Sequence, residues 1–257
     1  MRTVNATRYV TPLREGGSLP AIIEADDQGM YVLKFRGAGQ GSKALIAELV
    51  AGEIARALGL PIPEIVFVQL DAGLARTEPD PEIQDLIKTS VGLNLALDYL
   101  PGSVTFDPLA EKPDGELASS IVWFDAFVTN VDRTPRNTNL LVWHRKLWLI
   151  DHGAALYFHH NWDNFLERAT QPFALIKDHV LLPYADRIEA VDATLSTRLT
   201  APIMQNIVAR IPDSWLRDAP FSSVDAHRQA YVDYLMRRIA APRAFAEEAI
   251  RAQSKSR

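Results

Sequence analysis

Cysteine is absent from the 257 residues, so disulfides, thiolate nucleophiles and cysteine-based metal sites are excluded together. Long apolar runs are missing too, and nothing approaches the roughly 18 residues that span a bilayer. Positive charge is not in excess: 27 Lys and Arg stand against 32 Asp and Glu, a net charge of −5. That is the wrong sign for a protein that grips a phosphate backbone. The start, Met1-Arg2-Thr3-Val4, carries no signal-peptide apolar core, which with the missing cysteine points to a cytoplasmic setting. The six histidines, at 144, 152, 159, 160, 179 and 227, form no i,i+4 metalloprotease pair on a helix, and zinc is not expected. Neither nucleic acid nor a membrane is an expected partner. What is present is ordinary globular material, 47% hydrophobic and 23% charged, long enough for one large or two small domains with a full core.

The first hundred residues read as strand-rich. Residues 21–25 and 30–36 form a hairpin whose Asp26-Asp27-Gln28-Gly29 turn supplies the required backbone freedom. The spacing then predicts a helix over Ser42–Leu58, capped at its start and stopped by Gly59 and Pro61. Strands follow at 65–70 and 91–97, the latter broken at Pro101-Gly102. From Gly115 to about Asn130 an apolar helix leads into the polar segment Val131–Asn137. Two short strands, 139–143 and 147–150, are joined by His144–Lys146 and end at Asp151-His152-Gly153. The remainder reads as helical near 184–198, 201–211 and 223–241, with no internal repeat.

Four polar residues stand out by their order. Lys34 interrupts an apolar strand on the face of Met30 and Val32. An edge-strand lysine reaching to solvent is the ordinary explanation, but a helix with acidic residues follows at once. A strand lysine that bridges nucleotide phosphates and a helix glutamate is the protein-kinase arrangement. Asp132 and Asn137 lie five residues apart after a helix, the spacing of the kinase catalytic loop H-R-D-x-x-x-x-N, and Asp151-His-Gly153 follows across a hairpin where kinases carry D-F-G. Each signal alone is weak, since loop Asp and Asn mostly make turns; the order and the intervening elements are more specific.

These residues resemble the HipA-like kinases. Asn130-Val-Asp-Arg-Thr-Pro-Arg-Asn-Thr-Asn-Leu-Leu-Val-Trp143 and Leu147-Trp-Leu-Ile-Asp-His-Gly153 are similar to the catalytic and metal segments of a short bacterial branch of that family. Glu48-Leu-Val-Ala-Gly-Glu-Ile-Ala-Arg-Ala-Leu-Gly-Leu-Pro61 is similar to its helix running from a glutamate to Gly-Leu-x-Val-Pro. The resemblance implies an α+β, protein-kinase-like two-lobed fold, with an N-lobe over 1–100 and a helical C-lobe over 101–257. It implies a phosphotransferase using ATP and Mg²⁺, with a protein Ser/Thr hydroxyl as the leading acceptor class and the acceptor itself unidentified. Asp132 would face that hydroxyl, Asn137 and Asp151 would hold the metal, and Lys34 would hold the α- and β-phosphates. Gly16, Gly17 and Ser18 stand where kinases cover the phosphates, although a plain turn explains them equally. Backbone at Asp98, Tyr99 and Leu100 would meet adenine. Asn139 near the metal and Arg133 near the substrate are secondary candidates, while Asp125 is read as a hydrogen-bonding partner of loop backbone.

Two departures from the kinase pattern are visible: His152 replaces Phe, and Val131 stands where many kinases carry Arg. The partner of Lys34 is open between two residues. On a helical wheel Glu53 falls near the centre of the apolar face made by Ile46, Leu49, Val50, Ile54 and Leu58, with Glu48 roughly opposite. The resemblance selects Glu48, which is taken as the partner.

Other readings compete. Residues 30–58 with Gly37-x-Gly39-x-Gly41 and Asp71 imitate a dinucleotide-binding unit for NAD. Against it, the third glycine comes one residue early, a hairpin precedes the strand, and a buried parallel strand should not carry Lys34 mid-face. A pseudokinase or ATP-binding adaptor would keep the fold without turnover, and a small-molecule or lipid kinase would share Asp132 and Asn137.

Overall fold

A computed structural model describes residues 1–13, 19–39, 41–217 and 220–256. The expected phosphate-covering residues Gly16, Gly17 and Ser18 lie outside them. Five strands, β1 (Thr3–Pro12), β2 (Ala21–Ala25), β3 (Met30–Lys34), β4 (Ile65–Leu70) and β5 (Gly92–Asp98), close into a barrel in the order β1-β2-β3-β5-β4. Antiparallel pairs make most of the ladder, and β1 closes it by running parallel to β4. Alternation drives one face inward: Ile23, Tyr31, Leu33, Val66, Val68 and Ala96 fill the barrel. The β2–β3 hairpin pairs Ala21 with Leu33 and Glu24 with Met30. Its turn is set by Gln28 at φ 67° and by Asp27, which accepts from the Gly29 amide at 2.9 Å. Because β3 lies between β2 and β5, Lys34 is not an edge residue, and the ordinary explanation of its position falls away.

Helix α1 spans Ser42–Leu58, the bounds expected. Its N-cap is Gly41, at φ 63° and without a side-chain cap, rather than Ser42. At the other end Gly59 adopts φ 82° and its N–H returns to the carbonyls of Ala55 and Arg56. Gly52 sits where α1 crosses β4; a Cβ there would come within 2.4 Å of the Ile65 Cδ1. That close approach seats α1 on the barrel. Its other side packs into the helical half, so buried residues occupy the whole circumference from Leu45 to Ala55. Helix α2 (Pro81–Thr89) was not anticipated; it begins with Asp80 accepting from the Glu82 amide and plugs the barrel with Ile83 and Ile87.

β6 (Val104–Thr105) precedes α3 (Gly115–Val128), which is capped by Asp114 through the Leu117 amide at 2.9 Å, and joins β7 (Leu140–Trp143) and β8 (Lys146–Leu149), which follow it, in a three-stranded sheet. The β7–β8 turn puts His144 at φ 48° and Arg145 at φ 61°, as a tight two-residue hairpin requires. The helices α4 (Phe165–Arg168), α5 (Ile188–Arg198), α6 (Ala201–Val208), α7 (Val224–Ile239) and the unanticipated α8 (Ala244–Lys255) complete the chain. They share one apolar core with α1, α3 and the outer residues Ile65, Leu95 and Leu97 of the barrel. Among the described residues no helix is long and apolar enough to cross a membrane.

Candidate active site

Three elements converge beside α1. β3 delivers Lys34 on the outer face of the barrel, α1 delivers Glu48, and the β7–β8 hairpin returns the chain to Asp151. The Lys34 Nζ lies 2.8 Å from Asp151 Oδ1 and 3.8 Å from Glu48 Oε2. Glu53 faces elsewhere and pairs with Arg210 and, at 3.3 Å, with Arg56. The helical wheel, which favours Glu53, points to the wrong carboxylate, because a helix buried on all sides has no single core face.

Burial alone would lower the Lys34 pKa, but Asp151 and Glu48 together raise it above the ordinary lysine value. Burial likewise works against an ionised Glu48; Lys34 and hydrogen bonds from His152 prevail and hold it at about 2. Both groups are therefore charged at neutral pH. His152, in the position where kinases carry Phe, grips Glu48 twice, by its backbone N–H to Oε2 at 2.9 Å and by ring Nδ1 to Oε1 at 3.1 Å. Nothing but the departure from Phe signalled this in the sequence.

Asp132 follows α3. Its Oδ2 accepts from Asn137 Nδ2 at 2.8 Å and from Asn139 Nδ2 at 3.3 Å, and its backbone N–H donates to Asn130 Oδ1 at 3.1 Å. Burial and then the charge of Asp151 raise the Asp132 pKa, opposed by the two asparagines and Arg133. Asn137 is exposed and Asn139 buried. A cavity of about 530 Å³ opens beside them, lined by Phe106, Arg136, Asn137, Asn139 and Ile150 among others. Asn139 and Asp151 take the left-handed backbone region at φ 47° and 54°, a strain that Asn and Asp tolerate better than most residues and that concentrates at functional sites.

Arg133 is not a substrate-facing residue: its side chain is wholly buried. Its Nε donates to Asp125 Oδ2 at 2.6 Å, and its Nη1 donates to the carbonyls of Asn139 and, at 3.4 Å, Ile150. The Asp125 carboxylate is not a partner of loop backbone as expected; the groups it meets are side chains. It also accepts from Asn130 Nδ2 at 2.9 Å and meets His179 Nε2 at 2.9 Å, while His179 Nδ1 accepts from the Leu181 amide, so Nε2 carries the proton. The last carbonyls of α3 are in turn capped by buried Arg238, which donates to Ala126 at 2.8 Å and Phe127 at 2.7 Å. Asp125 stands out in the sequence as a charge on an apolar helix; its distant partner His179 carries no such signal.

At the end of β5, the Asp98 N–H donates to Glu64 O at 2.8 Å and the Tyr99 N–H to Met30 O at 3.0 Å. Two of the three amides proposed for adenine are thus engaged within the fold, whereas the Leu100 N–H has no partner among the described residues. Among those residues no cluster of three or more His, Asp or Glu has metal-holding geometry. An oxygen site here would need the Asn137 amide beside the carboxylates.

No curated protein matches this chain in sequence. Solved structures do match in fold. The Helicobacter pylori proinflammatory kinase CtkA aligns with a TM-score of 0.57 at 13% identity, covering 98% of each chain. A Golgi casein kinase with Mn/ADP bound aligns with a TM-score of 0.53 at 10% identity, covering 98% of this chain and 74% of that one. At such identities the likeness concerns the fold, which is that of a kinase. The family model for HipA-like kinases matches residues 7–245, and the chain belongs to that family.

Proposed function

We propose that this kinase transfers the γ-phosphoryl group of ATP, with Mg²⁺, to a Ser or Thr hydroxyl of a protein. One observation carries the reading: the Lys34 ammonium lies 2.8 Å from Asp151 and 3.8 Å from Glu48, a cation steadied by two carboxylates at the mouth of the Asp132 loop. The proposed division follows the chain, with the barrel half (1–100) and the helical half (101–257) closing on the nucleotide, in a cytoplasmic protein.

The donor set fits a hard divalent cation. Asp132, Asn137 and Asp151 offer carboxylate and amide oxygens, the ligands such ions prefer, and Asp151 and Asn137 are open to solvent. A related fold carries Mn/ADP. A cation held by Asn137 and Asp151 would neutralise phosphate charge as it moves to the acceptor. Lys34 would hold the α- and β-phosphates, and Glu48 would keep it oriented. Asp132, its Oδ2 fixed by two asparagine amides, would accept the hydroxyl proton, and a pKa raised by burial favours that role. The Leu100 amide, free within the fold, would meet adenine, with Asp98 and Tyr99 shaping the same edge. Gly16, Gly17 and Ser18 remain candidates for covering the phosphates.

The test is a melting series with a turnover assay on broad protein pools. ATP with Mg²⁺ should stabilise the protein by roughly 2.7 kcal/mol at a hundredfold excess over Kd, and labelled phosphate should enter acid-stable Ser or Thr. A shift with NAD and none with ATP and Mg²⁺ overturns the reading. ATP binding with no transfer to any acceptor leaves an adaptor in its place.

A further inference from the structure

We propose that His152 is the positioning residue of Glu48, locking α1 to the segment that carries Asp151 and keeping the Lys34 ammonium from closing on Glu48. The inference rests on the assignment of Lys34 to the nucleotide given above.

The partners of the Glu48 carboxylate decide the matter. Both side chains are sealed from solvent, at 0% exposure for His152 and 1% for Glu48. An ionised carboxylate so buried needs donors. Lys34, at 3.8 Å, is beyond hydrogen-bonding range, and its near contact is Asp151. Among the described residues the two donors within range both belong to His152, the backbone N–H on Oε2 and ring Nδ1 on Oε1. To donate to a carboxylate, Nδ1 must carry the ring proton. Among the described residues the other nitrogen, Nε2, is buried without a partner. Phe124 meets the ring edge-on, centroids 5.8 Å apart, and fixes its plane.

Phenylalanine at 152 would keep the ring's bulk and the backbone N–H but remove the donor on Oε1. The nearest remaining cation is Lys34, so the carboxylate and the ammonium would close on each other and the lysine would leave Asp151. His152 thus satisfies Glu48 at a distance of one residue from Asp151, and α1 cannot shift against that loop without stripping a buried carboxylate of both donors.

The experiment pairs histidine NMR with ATP kinetics on the full chain. In ¹⁵N-histidine-labelled protein, the resonance absent from His152→Phe should report a protonated Nδ1 and a bare Nε2. It should persist in Lys34→Met and move in Glu48→Gln. In kinetics, His152→Phe should raise KM for ATP about tenfold or more, the scale felt when the partner of an active-site ligand is lost, with kcat the less affected. His152→Asn, whose amide can reach the same carboxylate oxygen, should recover most of that loss. A ring protonated on Nε2 alone, an unchanged KM in His152→Phe, or His152→Asn as impaired as His152→Phe each overturns the proposal. Wild type without ATP turnover instead overturns the kinase assignment of the site, while the NMR arm, which needs no nucleotide and can take its assignment from either His152→Phe or His152→Asn, still decides what holds Glu48.

Discussion

Arg133 and Asp125 meet at 2.6 Å with neither side chain exposed, and through them the loop that carries Asp132 is tied to α3 and to the hairpin that carries Asp151. The guanidinium reaches the carbonyls of Asn139 and Ile150, each next to a site residue or itself one. A buried pair of this kind is costly to split, because the survivor is left charged and unpaired.

Arg133→Met should therefore destabilise the protein by about 3–5 kcal/mol, the range for removing one partner of a buried ion pair. Calorimetry checks this, and a melting temperature close to wild type would show that Asp125 finds compensation from Asn130 and His179.

Asp132→Asn should leave nucleotide affinity nearly intact and cut phosphoryl transfer by about 10²-fold or more, the usual scale for losing a positioned base. Titration of nucleotide against each protein and single-turnover transfer separate the two quantities. A variant as active as wild type would remove Asp132 from the proton's path.

Glu48 and Glu53 should separate cleanly although both are buried on one helix. Glu53→Gln loses ion pairs to Arg210 and Arg56, both over a third exposed, so screening limits the cost to the order of 1 kcal/mol and ATP kinetics should not change. Glu48→Gln should raise KM for ATP through Lys34. Measured ATP KM and urea midpoints for the two variants check this, and matching kinetic defects would show that Glu53 also acts on the site.

Stability should fall on acidification below neutrality. Burial lowers the pKa of His159 well below 6.5, and of His179 as well despite its bond to Asp125. A depressed histidine pKa means that the unfolded chain takes up protons first, so this stability is complete above pH 6.5 and is lost as pH drops toward the folded values. A melting series from pH 8 to 5 should be flat at first and then decline, and His159→Asn should flatten part of the decline. No dependence over that range would contradict both shifts.

Local chemistry made much of this molecule legible. Gly59 stops α1 with Pro61 just beyond, and the Asp26–Gly29 turn carries the residues its hairpin needs. Asp132, Asn137 and Asp151 stand out as candidates because a helix end and a hairpin, both local features, set their spacing. The sequence also carries the signals for α2, a capping Asp80 before Pro81 with Ile83 and Ile87 one turn apart. Strand β1 is different: it is mostly exposed, bulged and paired parallel to β4, so no alternation marks it.

Sequence alone determined which residue types approach the cleft and in what order, since turns, caps and strand alternation act over a few residues. Only the tertiary structure decided which carboxylate Lys34 meets, because α1 is wrapped by the barrel on one side and by helices on the other. It alone decided that Arg133 is a buried tie and that His152 holds Glu48. Those outcomes depend on contacts such as His152 to Glu48, 104 residues apart in the chain, and on the desolvation that makes every buried charge find a partner.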